Sequence, residues 1–311
     1  MVDRASAFAD DETLALLRKH FIAFAPSLTE ILKSPDPAGD FFRKVVNQRP
    51  EPKHSKQGYY ICSPDGTLLK GWMYPRPDDG TMKRYLKEAI EKYEAPKDVA
   101  AIDAGRPDRF APQPPGGAAV AEVFSRLLEA NWNKTNVERY ELIRGALGRD
   151  RLWITRAEIQ DLSRNSVPDS LLERMIRFHL VDNTRGVPPT WGPGDLKGIT
   201  VKTTRENGAL RVEGAVRLDA GKSRRYDAKL EGFIEVQGET LTRFDLVVQG
   251  VHFTNPSEVG EAPVGDTTFA VAFTLAADAD SKRVPPLFSY DMNGYLRSDK
   301  LRVSELRAAS K

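Results

Sequence analysis

One thiol, four imidazoles and a few carboxylate pairs are the side chains with which this chain could do chemistry. Cys62 is the single cysteine in 311 residues, so no intramolecular disulfide can form and a thiol-rich zinc site is excluded. A thiol becomes a nucleophile when neighbours lower its pKa. Cys62 follows Tyr59-Tyr60-Ile61 with no adjacent histidine to act as base. It reads as a small core residue, and it is also the one candidate reactive thiol. His20, His54, His179 and His252 are scattered, none at metal-ligand spacing from another. His54 sits in a basic loop with Lys53 and Lys56 and is a candidate contact for an anion or a partner.

The densest polar cluster is His179-Leu180-Val181-Asp182-Asn183-Thr184-Arg185-Gly186, followed by Pro188-Pro189-Thr190-Trp191. Long loops of this composition often carry function, which makes His179, Asp182, Asn183, Arg185 and Trp191 candidate binding residues. The C-terminal end of a helix also favours a protonated imidazole, which accounts for His179 without any function. His252 continues the even-numbered register of Phe244, Leu246 and Val248. It therefore points into a sheet's core or a cavity, as a hydrogen-bonded core histidine or as a ligand contact. A metal site joining His179 to His252 has no support from spacing. Asp10-Asp11, Asp78-Asp79 and Asp278 with Asp280 fall at helix starts or in loops, where capping and solvation explain them. Signatures for nucleotide binding, Ser-His-Asp hydrolysis and zinc hydrolysis are absent. No catalytic residue, metal ligand or cofactor is assigned.

The elements that must position these residues fall into two groups. Asp10-Asp11-Glu12 opens a helix whose Leu14, Leu17 and Phe21 share a face. Phe21-Ile22-Ala23-Phe24-Ala25 reads as a strand ended by Pro26, and Phe41, Phe42, Val45 and Val46 give a second helix its apolar side. Tyr59–Cys62 and Thr67–Met73 are aromatic and β-branched runs joined by Ser63-Pro64-Asp65-Gly66, the chemistry of a tight turn. Met82, Tyr85, Leu86, Ala89, Ile90 and Tyr93 then recur at helical spacing behind Asp78-Asp79-Gly80-Thr81.

This α-β-α-β-β-α order, with its strand–SPDG–strand–helix block, resembles the thioredoxin-like fold family over residues 1–95, lacking that fold's first strand. The resemblance implies a Cys-x-x-Cys between the first strand and first helix, which falls here at or before Met1–Ser6, where no cysteine stands. It also implies a cis-proline before the hairpin, near Gln57-Gly58, where there is no proline. A thioredoxin-like module without redox chemistry is the expectation.

Residues 96–117 are rich in Pro, Gly, Ala and charge and read as a linker. Over 118–186 a helical segment is expected: Val120, Val123, Phe124, Leu127 and Leu128 at helical spacing, a helix over Thr135–Leu147 and another over Ser170–His179. From 187 to 311 the pattern changes. Leu210, Val212, Val216 and Leu218 alternate with charged residues, as do Tyr226, Leu230, Ile234 and Val236, then Phe244, Leu246 and Val248, then Phe269, Val271, Phe273 and Leu275. One wet and one buried face per strand predicts an antiparallel sheet, as a sandwich or partial barrel, with Glu206-Asn207-Gly208 and Gln237-Gly238-Glu239 as hairpin turns. The fold class is thus a thioredoxin-like α/β unit followed by an α+β unit with an antiparallel sheet.

With 46 basic and 44 acidic residues the net charge is +2 without long runs of one sign, so neither nucleic acid nor a membrane surface is an expected partner. No apolar run approaches the length of a bilayer span. Met1-Val2-Asp3-Arg4-Ala5 leads into a polar helix, which predicts no signal peptide: cytoplasmic as it stands, exported if a signal lies upstream. The functional expectation is a non-catalytic thioredoxin-like protein that binds a protein or small ligand. Two alternatives stay open. One is a thiol–disulfide oxidoreductase whose cysteines lie upstream of this start; the other is a β domain that holds a small ligand.

Overall fold

A computed structural model describes residues 10–26, 28–49, 56–72, 80–94, 112–130, 147–184, 189–254, 265–288, 292–297 and 300–309. The chain divides into two compact units, one over Ser6–Ala111 and the other built on Pro112–Lys311.

In the first unit, α1 (Asp11–His20) starts where the Asp10 carboxylate accepts from the Thr13 backbone N–H at 2.8 Å and from its hydroxyl at 2.6 Å. Acidic residues fill its first turn and Arg18, Lys19 and His20 its last, each sign at the helix end that favours it. Helices α2 (Leu28–Lys33) and α3 (Pro37–Asn47) follow; α3 is capped by Asp36, with proline at its first position where a missing N–H costs nothing. Strands β1 (Tyr59–Cys62) and β2 (Leu68–Trp72) form an antiparallel hairpin, and α4 (Thr81–Lys92) closes the unit. Gln48, at the end of α3, clasps the hairpin turn: its amide donates to the Gly66 carbonyl at 2.7 Å and accepts from the Leu68 N–H at 3.0 Å. Ile61, Met82, Leu86 and Ala89 are the buried centre, with Trp72 stacked on Tyr59 and edge-on to Tyr85. Lys83 and Lys87 on α4 both pair with Glu12 on α1.

The expected strand over Phe21–Ala25 does not form. That segment leaves α1 with extended backbone at Phe21 (φ −132°, ψ 152°) but pairs with no strand, and the sheet of this unit has two strands among the described residues. A β-prone run becomes a strand only beside another that takes its backbone hydrogen bonds.

The second unit is built on one seven-stranded, wholly antiparallel sheet, in the order β4-β3-β9-β8-β7-β6-β5, instead of a sandwich. Its strands are β3 (Ala119–Ala130), β4 (Gly148–Ile154), β5 (Leu196–Glu206), β6 (Ala209–Asp219), β7 (Arg224–Gln237), β8 (Thr240–Thr254) and β9 (Gly265–Leu275). Between β4 and β5 run α5 (Arg156–Ser163), α6 (Asp169–Arg174) and a π-helical turn over Met175–His179. After β9 come the short helices α7 (Ala279–Arg283), α8 (Met292–Leu296) and α9 (Val303–Ala309). From Ala209 onward the strands follow the alternation in the sequence, with Val212, Leu218, Tyr226, Ile234, Phe244, Leu246, Phe269 and Phe273 on one buried face. Asn207 and Gly208 both take positive φ (49° and 87°) in the β5–β6 hairpin, the backbone that a two-residue turn of this hand requires.

Residues 119–130 are strand β3, which corrects the expected helix there. Ala121, Val123, Ser125 and Leu127 are buried at a period of two, as a strand between β4 and β9 demands. Phe124 and Leu128 lie on the other face, and their apolar character supplied the helical spacing by coincidence. The helix expected over Thr135–Leu147 falls almost entirely outside the described residues. Among those residues no helix is long and apolar enough to cross a membrane.

Close strand contact makes a sharp prediction at Gly250 in β8. A Cβ there would overlap the Asp227 carbonyl oxygen and stand 2.5 Å from the Ala228 Cα, whereas one on Gly198 meets nothing within 4 Å. Gly250→Ala should cost at least about 2 kcal/mol in urea unfolding of the sheet, and Gly198→Ala under about 0.5 kcal/mol. In the hairpin turn, hydrogen bonds from Ser63 and then Thr67 hold the Asp65 carboxyl at about 2, below its ordinary 3.8. A group depressed in the folded state stabilises fully above its unfolded pKa and loses that contribution as pH falls through the folded value. The hairpin should therefore loosen between about pH 4 and pH 2. A carbon-detected titration of Asp65 with its midpoint at or above the ordinary value would contradict this.

Candidate functional site

Asp150, His179 and Tyr295 form the most chemically suggestive arrangement in the chain. Asp150 lies on the buried face of β4, His179 ends the π-helical turn and Tyr295 comes from α8. The π turn is defined by a wide bond from the Leu180 N–H to the Met175 carbonyl at 3.1 Å, and it buries all five of its side chains. His179 Nδ1 stands 3.1 Å from Asp150 Oδ2, a close contact not aligned as a hydrogen bond, and Nε2 is 2.9 Å from the Tyr295 hydroxyl. A carboxylate can only accept, so the imidazole turns its Nδ1 donor position toward Asp150 and its Nε2 toward the Tyr295 hydroxyl. Burial pushes the Tyr295 phenol well above its usual range, so it stays a donor.

A carboxylate–imidazole–phenol chain can relay a proton, but a relay needs one end where a substrate can reach. Asp150 is 7% exposed, His179 3% and Tyr295 1%. What the arrangement does is hold the chain after β9 in place. Asp150 Oδ1 accepts from the Leu287 N–H and the Arg151 N–H, both at 2.7 Å, while the Arg151 guanidinium donates to Ser281. Beside it, Arg174 pairs with Glu158 in full burial and donates to the Trp153 carbonyl at 3.1 Å. The same Glu158 completes the capping box of α5 with Thr155 and accepts from Ser170 at 2.6 Å.

The residues singled out in the sequence are dispersed. Cys62 is half-buried in the hairpin, and desolvation, with the nearby Asp65 charge, pushes its thiol upward, against thiolate formation. His54 and Arg185 lie outside the described residues. Asp182 is buried and accepts from both the backbone and the hydroxyl of Thr184, which turns the chain after the π segment. Asn183 accepts a hydrogen bond from Ser125. Trp191 is fully buried; its indole N–H donates to the Leu180 carbonyl at 2.8 Å, and the Arg224 guanidinium lies 4.1 Å over its ring. His252 is buried on the sheet's inner face against Tyr226 and Phe269. His179 packs instead on Phe273 and Tyr295, so the two histidines belong to separate clusters, and no metal-binding group of side chains occurs among the described residues.

Sequence reasoning missed Asp150, Glu158, Arg174 and Tyr295. A signal existed for Glu158, since Thr155-x-x-Glu158 after an apolar strand is a capping box. Nothing local marks the others.

The sheet's outer face carries the other candidate, a shallow depression of about 320 Å³ lined by Arg217, Asp219, Arg225, Asp227, Val251, Phe253 and Asp266. The register sets Arg217 opposite Asp227 and Asp219 opposite Arg225, and Arg225 lies 4.8 Å over the Phe253 ring. Val251 is 51% exposed at its centre.

If the buried array is an anchor, Asp150→Ala should destabilise the unit by about 3 kcal/mol, by stranding two backbone donors and an imidazole, and Tyr295→Phe by about 1 kcal/mol. Hydrogen exchange at the Leu287 amide should accelerate strongly in Asp150→Ala and recover in Asp150→Asn, which keeps the accepting oxygen. Unchanged Leu287 exchange in Asp150→Ala would remove the anchoring role. No family model, curated protein or solved structure matches this chain, so its functional reading rests on these residues alone.

Proposed function

We propose that this chain is a non-catalytic binding protein, a thioredoxin-like unit without the dithiol joined to a β unit whose outer sheet face receives the partner. The observation that carries the reading is the depression over β6–β9. Two apolar side chains, Val251 and Phe253, stand there among three carboxylates and two guanidinium groups. Arg225 is engaged with Phe253 and lies 3.9 Å from Asp266, which leaves the rim with a surplus of negative charge. That combination suits a polypeptide segment with one apolar side chain flanked by basic ones, the apolar group on Val251 and the basic groups toward Asp219 and Asp227. The raised Cys62 thiol supports a role other than thiol exchange.

The test is an NMR titration with two synthetic hexapeptides, Lys-Leu-Lys and Glu-Leu-Glu centred. The basic peptide should shift amides of β6–β9 selectively, and Asp227→Asn should weaken it by about 3-fold, the scale of an exposed charge pair. Shifts confined to other surfaces, or equal binding of both peptides, would remove this site from consideration. In a dithiothreitol-driven insulin-reduction assay the chain should show background turnover, unchanged by Cys62→Ser.

A further inference from the structure

Three large apolar side chains that the second unit leaves exposed stand on the outer face of its sheet: Leu128 at 45%, Val247 at 38% and Val251. Between them runs β9, whose outward residues Thr268, Ala270 and Ala272 are small and half-buried. The register sets Phe124 on β3 against Ala272, and Ala272 against Val247 on β8. One pair further along, Ala270 lies between Arg126 and Gln249, and after it Thr268 meets Val251. β9 is thus the floor of a trough, with Phe124 and Leu128 on one wall and Val247 and Val251 on the other. Helix α7 stands at the end beyond Phe124, where Ser281 bonds with Glu122 and Arg151.

We infer that this trough receives an amphipathic α-helix of a partner protein, lying along β9. The inference rests on the outer sheet face being the partner surface, as proposed above. Strands β3, β9 and β8 are each paired on both sides, so there is no edge here to take up a strand. An occupant must bring its backbone hydrogen bonds already made, which a helix does. β3 and β8 stand about 10 Å apart across β9, close to the width of a helix. Val247 to Val251 spans about 13 Å, the rise of about nine helical residues. Charge sets the occupant's flanks. Exposed Arg126 and Arg149 give the β3 side a positive wall. On the β7 side Asp227, Lys229 and Glu231 stand opposite Val251, Gln249 and Val247, two carboxylates to one ammonium group. A helix with carboxylates along one flank and ammonium groups along the other therefore fits in one direction only.

The probe is a synthetic peptide of about 16 residues with a leucine stripe at helical spacing. It carries lysines on one flank, glutamates on the other and a nitroxide at its N-terminus. In an NMR titration of the full chain it should shift the Ala270 and Ala272 amides, and the nitroxide should broaden one end of the trough only. Exchanging the flanks should move the broadening to the other end. Ala272→Lys should weaken binding at least about tenfold. Arg126→Glu, at an exposed position that leaves the fold alone, should reduce the preference for one direction. Equal binding by a peptide with its leucines scrambled off the stripe would overturn the inference, and so would broadening at both ends. So would a trough already filled in the free chain, read as contacts to Ala272 from residues 131–146 or from a second copy. If the helix fails while the basic hexapeptide still shifts Val251, this inference falls and the proposed function stands; if both fail, both fall.

Discussion

The buried ion pair between Arg174 and Glu158 is the interaction on which the larger unit most depends. A guanidinium with 1% exposure must have its charge and its N–H groups met inside the protein, since removing one partner from such a pair costs about 3–5 kcal/mol. The groups that meet them come from different places in the chain: Glu158 from α5, the Trp153 carbonyl from β4, and the Tyr295 ring, 5.7 Å from the guanidinium carbon, from α8. Glu158 is itself held by Thr155 and Ser170. One charge therefore fixes the edge of the sheet, both helices after it and the C-terminal segment relative to one another.

Around this centre the same economy recurs. Glu173, one residue earlier and equally buried, accepts from the Leu301 backbone N–H at 3.1 Å. Arg307 on α9 reaches the Val167 carbonyl at 2.9 Å and pairs with Asp169. Asp150 holds Leu287, and His179 holds Tyr295. Among the described residues after β9 the helices run five to seven residues, too short to be stable alone. Phe288, Tyr295, Leu301 and Val303 bury themselves in the core, and the polar contacts set where each one enters. Buried charge here gives register to a segment that hydrophobicity alone would leave underdetermined.

The smaller unit works on different terms. Its buried apolar side chains among the described residues are Ile31, Val45, Val46, Ile61, Met82, Leu86 and Ala89, so aromatic stacking at Tyr59, Trp72 and Tyr85, the Gln48 clasp on the hairpin turn and the Glu12 pairs to Lys83 and Lys87 carry more of the organisation. Among the described residues a two-stranded sheet leaves strand-forming sequence outside it, which is the position of Phe21–Ala25.

The sequence by itself determined the elements whose physics is local. Alternation of apolar and charged residues from Leu210 to Leu275 specified strands with one wet face; Asp10 and Ser63-Pro64-Asp65-Gly66 specified a cap and a turn, because a side chain there satisfies a backbone group a few residues away. Tertiary structure decided what depends on a distant neighbour. Val120–Leu128 fits a helix or a strand until β4 and β9 flank it, and Phe21–Ala25 is a strand only if another lies beside it. The same holds for the buried polar centre. His179 and Trp191 stood out in the sequence, but their roles are set by Tyr295, 116 positions on, and by Arg224. An isolated Asp150 or Tyr295 carries no local mark of burial, because the groups that make burial tolerable arrive only when the chain has closed on itself.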